Sequence, residues 1–144
     1  MQEEEREVAE QVLRDARSIA VLGMKDPAES MGAAAQIPEY LRQQGYQIIP
    51  VNPELADAGY PGAVATLGEL QDLPDVVEVF RNADAVGEHA DELLALHPKA
   101  VWLQLGIRND AVAERLRAAG IQVVQDACMF KVHAAMARAG KNAG

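Results

Sequence analysis

The side chains able to perform covalent chemistry are few and poorly paired. The sequence contains one cysteine, Cys128, and the next histidine along the chain, His133, follows five residues later. Side chains at this spacing on a helix do not face each other, so His133 is badly placed to act as the base for a Cys128 nucleophile. A cysteine without an activating base is usually a buried and unreactive packing residue. We therefore predict that Cys128 packs in the interior and that no residue is catalytic.

Metal chemistry has equally little support in the sequence. The histidines His89, His97 and His133 show no spacing typical of a zinc site, and one cysteine cannot build a cysteine cluster. His89 and His97 lie on or after a predicted helix beside several carboxylates, and we interpret both as surface residues. No metal ligand is predicted.

Ligand binding is better supported, at places where short apolar runs end. Gly23 follows the run Ile19–Leu22, and a glycine there lets a phosphate approach the backbone closely, although a single glycine can also be a simple turn. No second glycine completes the dinucleotide pattern GxGxxG, and no P-loop sequence is present. Lys25 adds a cation to the loop. The candidate binding residues of this loop are Gly23, Met24, Lys25 and Ser30.

The second apolar run ends in Pro50-Val51-Asn52-Pro53, where two prolines stiffen the backbone. Such a rigid wall can seat a flat adenine, with the Asn52 amide as donor and acceptor, or it can be only a stiff exit from a strand. A dinucleotide site would instead place an acidic residue here to bind the ribose hydroxyls. Val51, Asn52 and Pro53 are therefore candidates for a nucleotide-like ligand that is not NAD.

Two further runs end in residues suited to a ligand. Val79-Phe80-Arg81 offers an aromatic face and a fixed cation, and Arg81 can hold a phosphate, although a surface ion pair is the commoner fate of an arginine. Gln104 and Gly106 offer a polar amide and an open backbone. Asn109 is predicted to be a helix cap instead. The candidates from these runs are Val79, Phe80, Arg81, Gln104, Gly106 and Ile107.

Short apolar strands alternate with amphipathic helices along the chain. Strands are predicted at residues 19–22, 47–51, 75–80, 100–103 and 121–124, with a short edge strand at 63–65. Asn82, Asn109 and Asp126 are predicted to cap helices, the first of which runs through Leu94. This alternation predicts an α/β fold, a doubly wound parallel sheet of five to six strands in a three-layer α/β/α domain. Ligands bind such sheets where the strand order reverses, which brings the candidate segments together.

The length, charge and hydropathy of the chain indicate one domain and exclude some classes of partner. The 144 residues suit one domain, 1–144, with its core at about 18–136. The net charge of −9 repels phosphate backbones, so nucleic acid is an unlikely partner, and an anionic ligand must be held by local cations and backbone amides. No apolar run is long enough to span a bilayer, and the acidic first residues are unlike a signal peptide. We expect a cytoplasmic protein.

The same segments occur, in the same order, in a known family. The chain resembles the stand-alone CoA-binding domain proteins, which are similar to the CoA-binding domain of the succinyl-CoA synthetase alpha subunit, through Gly23 to Pro27, Tyr46 to Pro53, Val79 to Arg81 and Val101 to Ile107. The resemblance implies a Rossmann-like fold and coenzyme A or an acyl-CoA as ligand. It also implies that the loop after Gly23 holds the CoA phosphates, that residues 51–53 flank the adenosine, and that residues 79–81 and 104–107 line the pantetheine path.

Three functions are compatible with these observations. The resemblance and the lack of a catalytic pair favour a non-catalytic module that binds or senses CoA or an acyl-CoA. The alternative is a small NAD(P)- or acyl-CoA-using enzyme completed by a partner subunit, and the third is a purely structural interaction domain. A protein partner or a homo-oligomer fits all three, whereas nucleic acid and membranes are not expected.

Overall fold

The computed structural model describes residues 1–140, which are built around a parallel β-sheet. The strands are β1 (Ser18–Leu22), β2 (Gln47–Val51), β3 (Val76–Val79), β4 (Ala100–Leu103) and β5 (Gln122–Val124). Their order in the sheet is β2-β1-β3-β4-β5, which reverses direction between β1 and β3, and every neighbouring pair is parallel. The predicted α/β, Rossmann-like, doubly wound fold is confirmed.

Helices cover both faces of the sheet and complete the three layers. On one face, Ile19, Val21 and Trp102 pack under the first, second and last helices, and on the other Leu22 and Val77 pack under the remaining long ones. None of the helices within residues 1–140 is both long and apolar enough to cross a bilayer. The helices are α1 (Glu3–Asp15), α2 (Ala33–Gln43), α3 (Pro53–Asp57), α4 (Ala83–Glu88), α5 (Ala90–Leu96), α6 (Asp110–Ala118) and α7 (Met129–Arg138), with a 3-10 turn at Leu67–Glu69.

Pro50 is tolerated in β2 because this strand forms an edge of the sheet. The carbonyl of Pro50 points away from β1 and accepts a hydrogen bond from the Val64 N–H at 3.0 Å. The proline nitrogen lies on the same outer side, so the missing N–H removes no bond to β1. The short edge strand predicted at 63–65 is reduced to one bridge between Val51 and Val64.

Two of the predicted helix boundaries are wrong. Asn82 does cap a helix, since its Oδ1 accepts from the Ala85 N–H at 2.9 Å, but the helix stops at Glu88 and a separate α5 begins after His89. Asp126 does not cap α7. It has a φ of 52°, and its carboxylate accepts a hydrogen bond from the Gly106 N–H instead. Asn109 caps α6 as predicted, through the Val112 N–H.

Glu78 is an ionisable residue buried on the face of the sheet that α1, α2 and α7 cover. It shares its register with Val21 on β1 and Trp102 on β4, and its side chain is fully buried. Among residues 1–140, neither carboxylate oxygen of Glu78 has a hydrogen-bond partner. Burial alone raises the pKa of Glu78 to about 8, so the carboxyl is mostly protonated at neutral pH.

Candidate functional site

A cleft of about 550 Å³ opens where β1, β2 and β3 end, next to the reversal of strand order. We call it the switch-point cleft. Its position is the one at which open parallel sheets bind their ligands. The cleft is lined by Leu22, Gly23, Lys25, Val51, Asn52, Pro53, Glu54, Ala65, Thr66, Phe80, Arg81, His89 and Glu92.

Gly23 allows the ends of β1 and β3 to lie close together. Its φ is +86°, and a Cβ at this position would lie 2.8 Å from the carbonyl oxygen of Phe80. The Gly23 N–H donates to the carbonyl of Val51 at 2.9 Å, which also ties β1 to β2. The glycine is therefore required by the packing of the backbone, and the shape of the cleft floor depends on it.

Lys25 is anchored through its backbone while its side chain stays exposed at the cleft. The Lys25 N–H donates to the carbonyl of Ala34 in the first turn of α2 at 3.1 Å. That carbonyl is available because Pro38, four residues further along the helix, has no N–H to offer it. A proline inside α2 thus creates the acceptor that fixes the start of the loop.

Several N–H groups in the rest of this loop are used internally. The Asp26 side chain accepts from the Ala28 N–H at 2.8 Å, and the Asp26 carbonyl accepts from both Glu29 and Ser30 at 3.0 Å. The Ser30 hydroxyl accepts from the Gly32 N–H at 3.1 Å, away from the switch-point cleft. These four N–H groups are therefore not available to an anion at the cleft, which makes the side chain of Lys25 more important there.

Asn52 joins two walls of the cleft. Its Oδ1 accepts from the Glu54 N–H at 2.9 Å and so caps α3, while its Nδ2 donates to the carbonyl of Met24 at 2.8 Å. Pro53 begins α3, and buried Val51 forms part of the floor. Both ends of the Asn52 amide are thus engaged within the protein, where they hold the loop after β1 against the end of β2.

Arg81, His89 and Glu92 form a chain of contacts on the opposite wall. The Nη1 of Arg81 lies 3.4 Å from the Nε2 of His89, whose Nδ1 makes a short hydrogen bond with Glu92. Arginine can only donate, so we assign Nε2 as the acceptor and place the proton of the neutral ring on Nδ1. The side chain of His89 is only 17% exposed.

His89 is thus a half-buried residue at the wall of the cleft, and sequence reasoning proposed neither His89 nor Glu92 as part of the site. The break between α4 and α5 places His89 at the start of a new helix, with its side chain toward the cleft. A three-residue spacing, which puts His89 and Glu92 on one helix face, was the signal that could have found the pair.

The remaining candidate residues lie outside the cleft. Met24 and Val79 are buried, and Ser30 helps to start α2. Gln104, which is also buried, accepts from the Met129 N–H at 3.3 Å, and Gly106 is held by Asp126 at 2.7 Å. Ile107 follows in the same loop after β4, where its carbonyl accepts from the Asp126 N–H. The structure therefore places residues 104–107 at the next strand end and does not bring them into the switch-point cleft.

A second cleft, of about 600 Å³, lies between the start of α1 and the edge strand β5. Its lining includes the carboxylates Glu4 and Glu5 as well as Arg108 and Arg117. This cleft is not at the reversal of strand order, so its larger volume does not make it the better candidate for the ligand.

The comparison with known proteins decides the family. A family model described as the CoA binding domain matches residues 17–134, a range that includes every residue lining the switch-point cleft. The chain belongs to the CoA binding domain family. The resemblance inferred from the sequence is confirmed, and membership supports CoA binding in general.

This CoA binding domain also has relatives of nearly its own length. It is 30% identical over 134 residues to the uncharacterized protein YneT of Bacillus subtilis (strain 168), covering 93% of this chain and 98% of that protein. Among solved structures, cell-free ID.343 from Thermus thermophilus is 40% identical, with a TM-score of 0.79 and coverage of 91% and 98%. A hypothetical protein from Pyrococcus horikoshii OT3 shares the fold at 23% identity, with a TM-score of 0.77 over 92% of each chain.

Proposed function

We propose that the protein is a binding module that holds CoA, or an acyl-CoA, in the switch-point cleft. The observation that carries this proposal is the pair of cations at the cleft, Lys25 and Arg81. Within residues 1–140, neither of them forms an ion pair with a carboxylate, whereas Lys99 is paired with Asp75. Unpaired cations at a strand-end cleft are suited to a ligand that brings its own negative charge.

The overall negative charge of the chain strengthens the argument from these two unpaired cations. A chain with a net charge of −9 repels polyanions at long range, so a CoA site needs a locally positive surface. Lys25 and Arg81 supply positive charge from two different strand ends, beside the carboxylates of Glu54 and Glu92 in the same lining. The carboxylate of Glu92, which also lines the cleft, is engaged by His89 rather than directed at the ligand.

The shape of the cleft also suits the proposed ligand. Its volume of about 550 Å³ lies within the range of pockets that bury small molecules. The rigid stretch from Val51 to Pro53 offers a wall for the adenosine, and Phe80 offers an aromatic surface at the end of β3. Residues 104–107 would meet only a ligand that extends past the cleft, as a pantetheine arm does.

Calorimetric titration tests this proposal. We expect CoA to bind more tightly than NAD or ATP, since the end of β2 lacks the acidic residue that reads a dinucleotide ribose. Lys25→Ala should weaken CoA binding about tenfold, the low end for a charged hydrogen bond because Lys25 is exposed. It should also flatten the salt dependence of binding.

Lys99→Ala is the matched control. Lys99 lies just before β4, at the amino edge of the sheet and away from the cleft, and its own side chain is 75% exposed in the ion pair with Asp75. We expect its CoA affinity to equal that of the wild type. Equal weakening by the two alanine variants would place the phosphates elsewhere, and tighter binding of NAD than of CoA would reject the proposed ligand.

A further inference from the structure

Arg81 presents N–H donors at the wall of the switch-point cleft that the fold itself does not use. Its Nη1 donates to the Nε2 of His89 at 3.4 Å, with no carboxylate between the two groups. Within residues 1–140 this is the one hydrogen bond that the guanidinium makes, and it forms no ion pair. The other N–H groups of Arg81 are therefore available to a bound anion.

Glu92 determines which nitrogen of His89 faces that anion. Its carboxylate contacts Nδ1, which leaves Nε2 as the atom directed toward Arg81. A carboxylate on one imidazole nitrogen fixes the tautomer and the orientation of the ring. Glu92 is therefore a positioning residue, and Nε2 of His89 is the ring atom that holds the guanidinium of Arg81 at the cleft wall.

We propose that Arg81 and His89, oriented by Glu92, form a clamp for a phosphomonoester. On the proposed function, on which this inference rests, the group held is the ribose 3′-phosphate of CoA. A phosphomonoester carries a charge of about −1.5 to −2 at pH 7 and offers three acceptor oxygens, which matches the forked donors of a guanidinium held in place by an imidazole. Each phosphate of the pyrophosphate linkage carries a single charge, and exposed Lys25 is suited to it.

The other charged groups facing the cleft agree with this assignment. Lys25 lies on the loop after β1, and Glu54 lies at the start of α3. Of the two carboxylates in the lining, Glu92 is hydrogen-bonded by His89, whereas Glu54 makes no contact with the Arg81–His89 pair. Its position beside Asn52 and Pro53 puts it on the α3 side, across from the wall that carries Arg81 and His89.

The clamp is tested by comparing ligands that differ only in the phosphomonoester. Calorimetry would compare CoA with 3′-dephospho-CoA, and NADP with NAD, on the wild type, His89→Gln and Glu92→Gln. We expect the wild type to prefer CoA over 3′-dephospho-CoA by at least tenfold. His89→Gln should remove most of that preference and leave the affinity for 3′-dephospho-CoA unchanged within about twofold.

Glu92→Gln should reduce the preference by a smaller factor, about threefold, because glutamine can still accept from Nδ1 but brings no charge. His97→Gln and Glu88→Gln are the matched controls, since both residues are exposed and lie outside the cleft. Affinity for 3′-dephospho-CoA reports on the integrity of each variant, because a folding defect would weaken both ligands together.

The outcomes separate the clamp from the proposed function. Equal binding of CoA and 3′-dephospho-CoA by the wild type, or equal weakening of both by His89→Gln, overturns the clamp and leaves CoA binding intact. If CoA does not bind but NADP is preferred over NAD in a manner that requires His89, the clamp stands and the proposed ligand is rejected. If no ligand pair shows a preference that depends on His89, the clamp is rejected.

Discussion

Glu78 should make the stability of this protein fall as the pH rises, and replacing it with glutamine should remove that effect. The carboxyl is fully buried without a partner, and its pKa is raised from 4.5 to about 8. Between these two values the folded protein holds a proton that the unfolded chain has lost. Stability must therefore decrease with pH across this window, by about 1.4 kcal/mol per pH unit, and become independent of Glu78 above pH 8.

The magnitude is large for a domain of this size. The loss of stability is about 5 kcal/mol between pH 4.5 and pH 8, and about 3 kcal/mol of it occurs between pH 4.5 and pH 7. A typical domain is stable by only about 5–15 kcal/mol, so the effect is measurable by ordinary denaturation. Glu78→Gln keeps the size of the side chain and cannot ionise.

Urea denaturation of the wild type and Glu78→Gln from pH 5 to pH 9 is the assay. The difference in free energy of unfolding should grow in favour of the variant up to about pH 8 and then level off. His133 is also buried, and burial lowers its pKa, so the stability that depends on its neutral ring is lost as the pH falls. Because both proteins contain His133, this loss cancels in the difference between them. A difference that is constant across this pH range would refute the reasoning.

Three other substitutions and one control variant test the description of the site. Gly23→Ala should lower the free energy of unfolding by about 1–3 kcal/mol in a denaturation experiment, because a Cβ would lie 2.8 Å from the Phe80 oxygen at a φ of +86°; an unchanged stability would contradict this. Cys128→Ala should keep CoA affinity within about twofold by calorimetry, and loss of binding would give the thiol a role. Asn52→Ala should cost about 1–2 kcal/mol of stability, since it removes the cap of α3 and the bond to Met24. The control variant Asn82→Ala removes the cap of α4, which lies outside the cleft lining, and should leave CoA affinity unchanged.

The fold was predictable because its signals are local. The runs Ile19–Leu22 and Ala100–Leu103 are continuous and apolar, as strands buried on both faces must be. The glycine and asparagine residues between the elements mark where they stop and start. The rule of right-handed crossovers restricts the possible strand orders, and the observed order is one that reverses between β1 and β3.

The positions of the candidate site were predictable to the same extent, and the roles of its side chains were not. Gly23, Lys25 and Arg81 line the switch-point cleft. Their position there could be predicted because the ends of the strands that precede them are visible in the sequence. Asn52 bonds to Met24 and Asp126 bonds to Gly106, and such partners, about twenty or more residues apart, leave no pattern along the chain.

His89 was missed because the break between α4 and α5 has no strong local signal. Residues 82–94 carry an apolar stripe that suits one continuous helix, and Gly87 weakens that helix only modestly. The break depends on how the two short helices pack on the sheet, and it is this packing that brings His89 to Arg81.

The most direct test of CoA binding at the switch-point cleft is a titration followed by amide NMR. Addition of CoA to the labelled protein should shift the N–H signals of Gly23, Lys25, Thr66 and Arg81, which line that cleft. The signals of Gly120 and Gln122, in the second cleft beside β5, should stay in place. Saturable shifts confined to the β5 cleft would contradict the account, as would no shift at all at CoA concentrations in the millimolar range.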